Sequence, residues 1–203
     1  MRLILARHGQ TQWNRENRAM GHADIELNEE GRKQVQGLAL ALRRERVAAI
    51  YSSPLRRALE TAETIARFHE VAVKPDDAFI EMDCGEMDGL TYDEMRERYG
   101  DFLKEWMSDA CSLAMPGGEC LEDVQRRAWH GVERILEKHP KDAVIVVSHN
   151  FAIQCIICRA LALDLSQFRR LRLSLASISV LDFGERGISL MLFNDTCHLQ
   201  TEA

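Results

Sequence analysis

Long apolar runs are missing from this sequence of 203 residues. No stretch reaches the roughly 18 consecutive apolar residues that a membrane-spanning helix requires, so we expect no membrane partner. The apolar stretch near the start of the sequence is too short for a secretory signal, because it ends at the charged residue Arg7. We therefore expect a cytoplasmic protein.

Positive charge is also in short supply. Lys and Arg number 26 against 32 Asp and Glu, so the formal net charge is −6 at pH 7. A broad nucleic-acid surface would need an excess of positive charge, and we expect no nucleic-acid partner. An anionic ligand is compatible with this balance if the positive charge is concentrated in one pocket.

Neither a disulfide framework nor a metal site is indicated by the six cysteines and seven histidines. Cys155 and Cys158 form a CxxC pair inside an apolar run, but no second pair completes a zinc site, so buried and reduced thiols are favoured. The histidines show neither HxH nor HExxH spacing, and no Asp-rich loop is present. The sequence predicts no metal and no cofactor.

Domain boundaries are equally hard to find. Only four prolines are present, with no repeat, low-complexity stretch or linker, so we expect a single domain over residues 1–203. Buried or alternating apolar patterns predict strands at 2–6, 47–51, 71–74, 143–147, 174–182 and 188–193. Caps and helical spacing predict helices at 28–42, 91–99, 119–137 and 151–163. A further helix is predicted after the second strand, with Ser53 as its cap and Pro54 as its first helical residue.

This alternation of strands and helices predicts an α/β fold, a three-layer sandwich around a mostly parallel sheet. The last two strands are joined by a turn at 184–187 and should form an antiparallel C-terminal hairpin.

Candidate anion-binding residues follow three of the predicted strands. Arg7 and His8 end the first strand, Arg56 and Arg57 follow the second, and His149 follows the strand at 143–147. Parallel sheets bind ligands beyond the carboxyl ends of their strands. If these strands are neighbours, their histidines and arginines converge on one rim and form the positive pocket.

Several blocks of sequence, in chain order, also resemble one known family. The blocks are Arg7-His8-Gly9-Gln10-Thr11-Gln12-Trp13-Asn14, 21–31, 53–62, Glu81 with Gly85 and Gly89, and Val147-Ser148-His149. They resemble the signatures of the histidine phosphatase superfamily, which includes the cofactor-dependent phosphoglycerate mutases. The resemblance assigns the motif arginine to Arg57 and leaves Arg56 outside the pattern.

The resemblance implies a phosphoglycerate mutase-like fold and catalysis without metal. His8 would attack phosphorus and form a phosphohistidine, with its other ring nitrogen protonated and held by a backbone acceptor. Arg7, Arg57 and His149 would surround the phosphoryl oxygens. Glu81, with a raised pKa, would protonate the leaving alcohol and then activate water.

Three residues of these blocks are expected to bind substrate, namely Thr11, Asn14 and Gly21, with Asn14 as a neutral donor. For Glu81 the alternative is a structural role, as the cap of a loop rich in acidic residues.

Three further features of the sequence are less specific. Asn150 stands where the family commonly has glycine. Because asparagine tolerates a left-handed backbone, we expect a turn there to be kept, and the Asn150 side chain is also a candidate to crowd or contact the substrate. His22 is a candidate for substrate contact or for a surface position. The tail at 194–199 is expected to pack rather than to act in catalysis.

Three functions are compatible with the sequence. The favoured one is a phosphomonoesterase acting on a small phosphorylated metabolite, such as a sugar phosphate or α-ribazole phosphate. The alternatives are a cofactor-dependent phosphoglycerate mutase and an inactive binding or scaffold protein. The segment 89–118 is shorter than the corresponding mutase insertion, which favours hydrolysis.

The substrate itself is left open. The apolar residues of 90–118 are interpreted as holding the body of the substrate or as packing two predicted helices. The sequence also leaves open whether two copies form a homodimer.

Overall fold

Six strands form the central sheet of the structure, a computed structural model that describes residues 1–199. They are β1 (Arg2–Arg7), β2 (Val47–Ser52), β3 (Val73–Pro75), β4 (Ala143–Ser148), β5 (Ile178–Gly184) and β6 (Gly187–Asp195). Their order across the sheet is β3-β2-β4-β1-β5-β6. The first four are mutually parallel, and β5 and β6 run antiparallel as a C-terminal hairpin. The predicted sheet is confirmed.

β4 lies in the middle of this sheet because its side chains suit burial on both faces. Val144, Ile145, Val146 and Val147 are all 0% exposed. A run of β-branched residues with no polar interruption is typical of a parallel strand covered by helices on each side.

Residues 1–199 contain six α-helices. They are α1 (Gln12–Arg15), α2 (Glu29–Leu42), α3 (Arg56–Ala66), α4 (Tyr92–Ser108), α5 (Leu121–Lys138) and α6 (Asn150–Ala160). The apolar sides of α2 and α3 pack on the sheet face that carries Ile4, Ile50 and Ile145. Those of α5 and α6 pack on the opposite face. The predicted three layers are therefore present.

A third apolar cluster lies beneath α4. It includes Met82, Met87 and Trp106, together with Leu121 of α5 and Cys155 of α6. The apolar residues of 90–118 thus pack against α5 and α6. No helix within residues 1–199 is both long and apolar enough to cross a membrane.

The start of α3 differs from its prediction. The chain was expected to enter this helix at Ser53, but the Ser53 amide donates to the carbonyl of Val147 at 3.0 Å and keeps the chain extended. The helix begins at Arg56, whose amide donates to Asp24 Oδ1 at 2.7 Å. A carboxylate distant in sequence therefore caps the helix in place of the local serine.

Two other boundaries were wrong. α4 does not end near Tyr99: it continues to Ser108 through a local kink, where Tyr99 has φ −128° and ψ 26°. β5 begins at Ile178 instead of residue 174, because Ala176 adopts a left-handed conformation with φ 53° that interrupts an extended chain.

The left-handed turn expected at Asn150 was also wrong. Asn150 is the first residue of α6, and His149 before it is extended, with φ −128° and ψ 178°. The strand therefore passes directly into the helix. The Asn150 side chain donates to Gln154 Oε1 at 3.2 Å, within the same helix.

Candidate active site

The carboxyl ends of β1, β4 and β2 meet at one edge of the sheet. Arg7 is in register with Ser148, and Ser52 is in register with Val147. The His8 amide donates to the carbonyl of Ser148 at 3.1 Å, which continues the ladder by one residue. The residues that follow these strands are therefore neighbours, as predicted.

His8 lies at the centre of this edge and is 2% exposed. Its Nδ1 lies 2.7 Å from the carbonyl oxygen of Gly9. Because a carbonyl can only accept, Nδ1 carries the proton and Nε2 of the neutral ring bears a lone pair. Burial, reinforced by Arg57 and Arg7, holds the pKa of His8 well below its ordinary value. The ring is thus held neutral, in the form that a nucleophile requires.

His149 faces His8 with the opposite tautomer. The two ring centroids are 5.1 Å apart. Arg57 Nε donates to His149 Nδ1 at 3.2 Å, so the proton of the neutral ring is on Nε2. This Nε2 is buried and has no hydrogen-bond partner within residues 1–199. Burial, together with Arg57, lowers the pKa of His149, and the ring presents a neutral, unpaired donor.

Arg57 is 0% exposed and is held by a loop that crosses the site. Its two terminal nitrogens donate to the carbonyls of Ala23 and Gly21, each at 2.7 Å. Burial lowers the pKa of Arg57 to about 10, so the side chain remains a cation at neutral pH. Arg56, in contrast, pairs with Asp24 on the surface, with 68% of its side chain exposed.

Arg7 supplies a second buried guanidinium. One terminal nitrogen donates to the carbonyl of Leu173, whereas Nε is buried with no partner in the described part of the chain. Burial lowers the pKa of Arg7, and the nearby carboxylate of Glu81 opposes this effect. Arg7 Nε and His149 Nε2 are thus two unpaired buried donors, and such groups normally find a partner.

Glu81 is 5% exposed and receives hydrogen bonds from the backbone. Its Oε1 accepts from the amides of Met82 at 2.9 Å, Phe151 at 3.1 Å and Ala152 at 3.3 Å. Burial raises the pKa of Glu81, although these bonds and the cations Arg57 and Arg7 act against it. The carboxyl therefore caps the first turn of α6, not the acidic loop, and has the raised pKa expected of a proton donor.

Two residues that the sequence analysis missed hold the segment containing Glu81. Arg127, on α5, donates to the carbonyls of Ile80 at 2.7 Å and Glu81 at 2.8 Å. Both oxygens of Glu119 accept from the same guanidinium, each at 2.9 Å. In sequence, Arg127 is one of several charged residues on the polar side of an amphipathic helix, and nothing local distinguishes it from a solvated arginine.

Asp88 was missed in the same way. Its carboxylate accepts from the amides of Gly21 at 2.9 Å and Ala23 at 2.7 Å, the residues whose carbonyls hold Arg57. His22, between them, places Nε2 3.0 Å from the carbonyl of Glu81. This loop therefore connects the buried arginine to the segment that carries the acid.

The three predicted substrate-binding residues have structural contacts of their own. Thr11 and Asn14 bond to each other and cap α1, and Asn14 Nδ2 makes no hydrogen bond within residues 1–199. A Cβ on Gly21 would lie 2.6 Å from the carbonyl oxygen of Met82, so close backbone approach requires glycine there. Substrate binding by these three residues stays a prediction.

Two remaining features are structural. Cys155 and Cys158 are buried thiols, and burial raises the pKa of Cys158 to about 11. The tail packs on the loop before β5, where Asn194 Oδ1 accepts from the amide of Ser174 at 2.6 Å and His198 Nε2 lies 2.8 Å from the carbonyl of Ala176. Among residues 1–199, no group of three or more His, Cys, Asp or Glu side chains is arranged to hold a metal ion.

The chain is similar over its length to known phosphatases. Phosphoserine phosphatase 1 of Hydrogenobacter thermophilus is 36% identical over 199 residues, which cover 98% of this chain and 94% of that protein. The solved structure of a mycobacterial glucosyl-3-phosphoglycerate phosphatase with VO3 superposes with a TM-score of 0.88 at 29% identity, covering 95% of this chain and 98% of that one.

Other relatives differ in name or in length. GpmB of Salmonella typhi, named a probable phosphoglycerate mutase, is 30% identical over 100% of this chain and 97% of its own. The chain spans only 55% of the length of three mycobacterial relatives with which it shares 40% identity.

The model of the histidine phosphatase superfamily (branch 1) matches residues 3–196. Together with the phosphatase relatives, this match confirms the predicted phosphomonoester hydrolase that acts through a phosphohistidine. The chain belongs to branch 1 of the histidine phosphatase superfamily.

Proposed function

We propose that this chain hydrolyses small phosphomonoesters with His8 as the nucleophile and Glu81 as the proton donor. The observation that carries the proposal is the pair of buried histidines with opposite tautomers. His8 has its lone pair on Nε2, and His149 has its proton on Nε2. One ring is therefore suited to attack phosphorus and the other to donate to a phosphoryl oxygen.

In the first half of the reaction, the His8 Nε2 lone pair forms a bond to phosphorus as the ester P–O bond breaks. The departing oxygen takes the proton of Glu81 and leaves as an alcohol. Arg7, Arg57 and His149 would stabilise the charge on the transferring group, since Arg7 Nε and His149 Nε2 are unpaired and buried.

In the second half, water attacks phosphorus as the bond to His8 breaks. Glu81, now a carboxylate, takes the proton of the water, and phosphate leaves. The three backbone amides that hold its Oε1 keep the carboxylate oriented between the two steps. No other titratable group is needed for the proton balance.

The class of substrate follows the names of the relatives. Phosphoserine and glucosyl-3-phosphoglycerate are both small phosphorylated metabolites, so a phosphorylated metabolite of this size is the expected partner of this chain. Such metabolites agree with a cytoplasmic location, which stays part of the proposal.

A direct test follows the phosphoryl group. Incubation with a 32P-labelled phosphomonoester and an alkaline quench should leave label on His8, because phosphohistidine survives base but not acid. His8→Ala should lose both the label and phosphate release. His130→Ala is the matched control, since this histidine has 68% of its side chain exposed and should leave both unchanged. Substantial turnover by the His8→Ala protein would refute the mechanism.

Phosphoglycerate mutase is the second candidate, favoured by the relative GpmB. A mutase must shield its phosphohistidine from water until the organic acceptor reorients. Here the chain between Gly89 and Gly118 supplies only α4 and a short return, which favours hydrolysis. The two activities separate when the protein is incubated with 3-phosphoglycerate, with and without bisphosphoglycerate. Isomer interconversion much faster than phosphate release would establish the mutase.

A further inference from the structure

A cavity of about 290 Å³ opens beside the acid and is lined almost wholly by apolar side chains. None of its twelve lining residues is charged. Six of the eight methionines in the sequence are among them. These are Met20, Met82, Met87, Met95, Met107 and Met115.

Two residues of the cavity lining also hold Glu81. Met82 and Phe151 line the cavity, and their amides donate to the Glu81 carboxylate. Met20, also in the lining, accepts from Thr11 Oγ1 at 3.5 Å. The cavity is therefore next to the residues whose amides hold the acid.

Its mouth is also apolar. Tyr92 and Met107 are each 61% exposed, although large apolar side chains are usually covered. The guanidinium of Arg169 lies over the ring of Trp106, a lining residue, and its central carbon is 4.9 Å from the ring centroid. Its terminal nitrogens are directed to the carbonyls of Met107 and Trp106 at 3.5 and 3.4 Å. Arg169 itself is outside the lining, and no lining residue carries a charge that would pair with a carboxylate or an ammonium group.

We propose that this cavity binds the organic body of the substrate and selects phosphomonoesters of apolar, ring-sized alcohols over those of charged alcohols. The proposal rests on the phosphatase activity proposed above. A cavity of roughly 150 Å³ holds benzene, so this one accommodates a single or fused ring. Methionine side chains adapt to different shapes, so the selection is for apolarity more than for one outline.

Phosphoserine, the substrate for which one relative is named, is the charged ester to compare with an apolar one. Phosphoserine carries an ammonium and a carboxylate on its body, and both would lose hydration in this cavity without gaining a partner. An ester such as 2-phenylethyl phosphate has the same net charge near neutral pH but an apolar body. Its alkoxide is the poorer leaving group, so a preference for it cannot come from leaving-group chemistry.

The experiment compares kcat/KM for 2-phenylethyl phosphate and O-phosphoserine. Burial of a phenyl-sized body should favour the first ester by about ten- to a hundredfold. Met95→Gln combined with Met107→Gln keeps the size of both side chains but adds amides to the cavity, and should reduce this ratio by about tenfold. Met191→Gln, at a methionine of β6 that is 66% exposed, should leave the ratio unchanged. Because a ratio is measured, partial unfolding of a variant cancels.

Equal or better use of O-phosphoserine by the wild type would overturn the assignment of the cavity, while turnover of either ester would leave the proposed function standing. If no ester releases phosphate, the proposed function fails instead. The cavity is then judged by calorimetric binding of the same two esters. Tighter binding of 2-phenylethyl phosphate that is lost in the double variant supports the assignment, and equal binding overturns it.

Discussion

Asp88 touches none of the proposed catalytic groups, yet its loss should weaken catalysis through the position of Arg57. The Asp88 carboxylate holds the amides of Gly21 and Ala23, and the carbonyls of the same two residues hold the buried guanidinium. Arg57 in turn fixes the tautomer of His149. A change at residue 88 is therefore transmitted to two groups that are proposed to bind the phosphoryl group.

Asp88→Asn makes this prediction quantitative. The amide of asparagine keeps one acceptor and turns an NH2 group toward the other backbone N–H, so one bond to a charged acceptor is lost. Such a bond contributes about 1.5–3 kcal/mol. If this free energy is lost from the stabilisation of the transition state, kcat/KM falls by about ten- to a hundredfold for every substrate, whatever its leaving group.

The assay pairs kcat/KM with inhibition by vanadate, which mimics the transferring phosphoryl group. Both should weaken by a similar factor in Asp88→Asn. Asp101→Asn is the matched control, because it removes the same charge from an exposed pair with Lys104 on α4 and should change either value by less than about threefold. Unchanged vanadate inhibition in Asp88→Asn, or an equal loss in the control, would refute the positioning role.

Three other predictions concern the chemistry. Glu81→Gln should slow hydrolysis of alkyl phosphates far more than that of activated aryl phosphates, whose alcohols leave without a proton. If the burst rate, which reports the first step, falls by the same factor for both classes of ester, Glu81 is not the acid. In a pH profile of turnover, the acidic limb should lie below pH 6.5, because protonation of His8 removes the nucleophile and burial lowers the pKa of His8. The alkaline limb should lie above pH 4.5, because it reports the loss of the proton from Glu81, whose pKa is raised. An acidic limb at or above pH 6.5 would contradict the conclusion that its surroundings keep the His8 ring neutral. Prolonged dialysis against a chelator should leave turnover unchanged, since His8, Arg57 and Glu81 supply the proposed chemistry; loss of turnover with rescue by a divalent cation would require a metal.

The sheet and the residues at its edge were predictable because their signals are local. A run of β-branched residues such as Val144 to Val147 is recognisable as a buried strand within five or six positions. The ends of the predicted strands place His8 and His149 on one rim without any knowledge of tertiary contacts. The resemblance to the family identified which of two adjacent arginines, Arg56 or Arg57, is buried.

The supporting residues could not be predicted, because their partners are backbone groups far away in the chain. Arg127 donates to the carbonyl of a residue 46 positions earlier, and Asp88 accepts from an amide 67 positions earlier. The start of α3 failed for the same reason. The local pattern places the cap at Ser53, whereas the structure bonds the Ser53 amide to Val147 and the first helical amide to the distant carboxylate of Asp24.

The two halves of the proposed reaction depend on two separate supports. The phosphoryl group would be held by Arg57, whose position depends on Asp88 and the loop it binds. The proton donor would be held by Arg127, which fixes the backbone carbonyl of Glu81, and by the first turn of α6. The helix amides favour the carboxylate, whereas burial favours the acid, and burial dominates. This balance suits a group that must donate a proton in one step and accept one in the next. Because the supports are separate, disturbance of the first should affect all esters alike, and disturbance of the second should affect those with poor leaving groups.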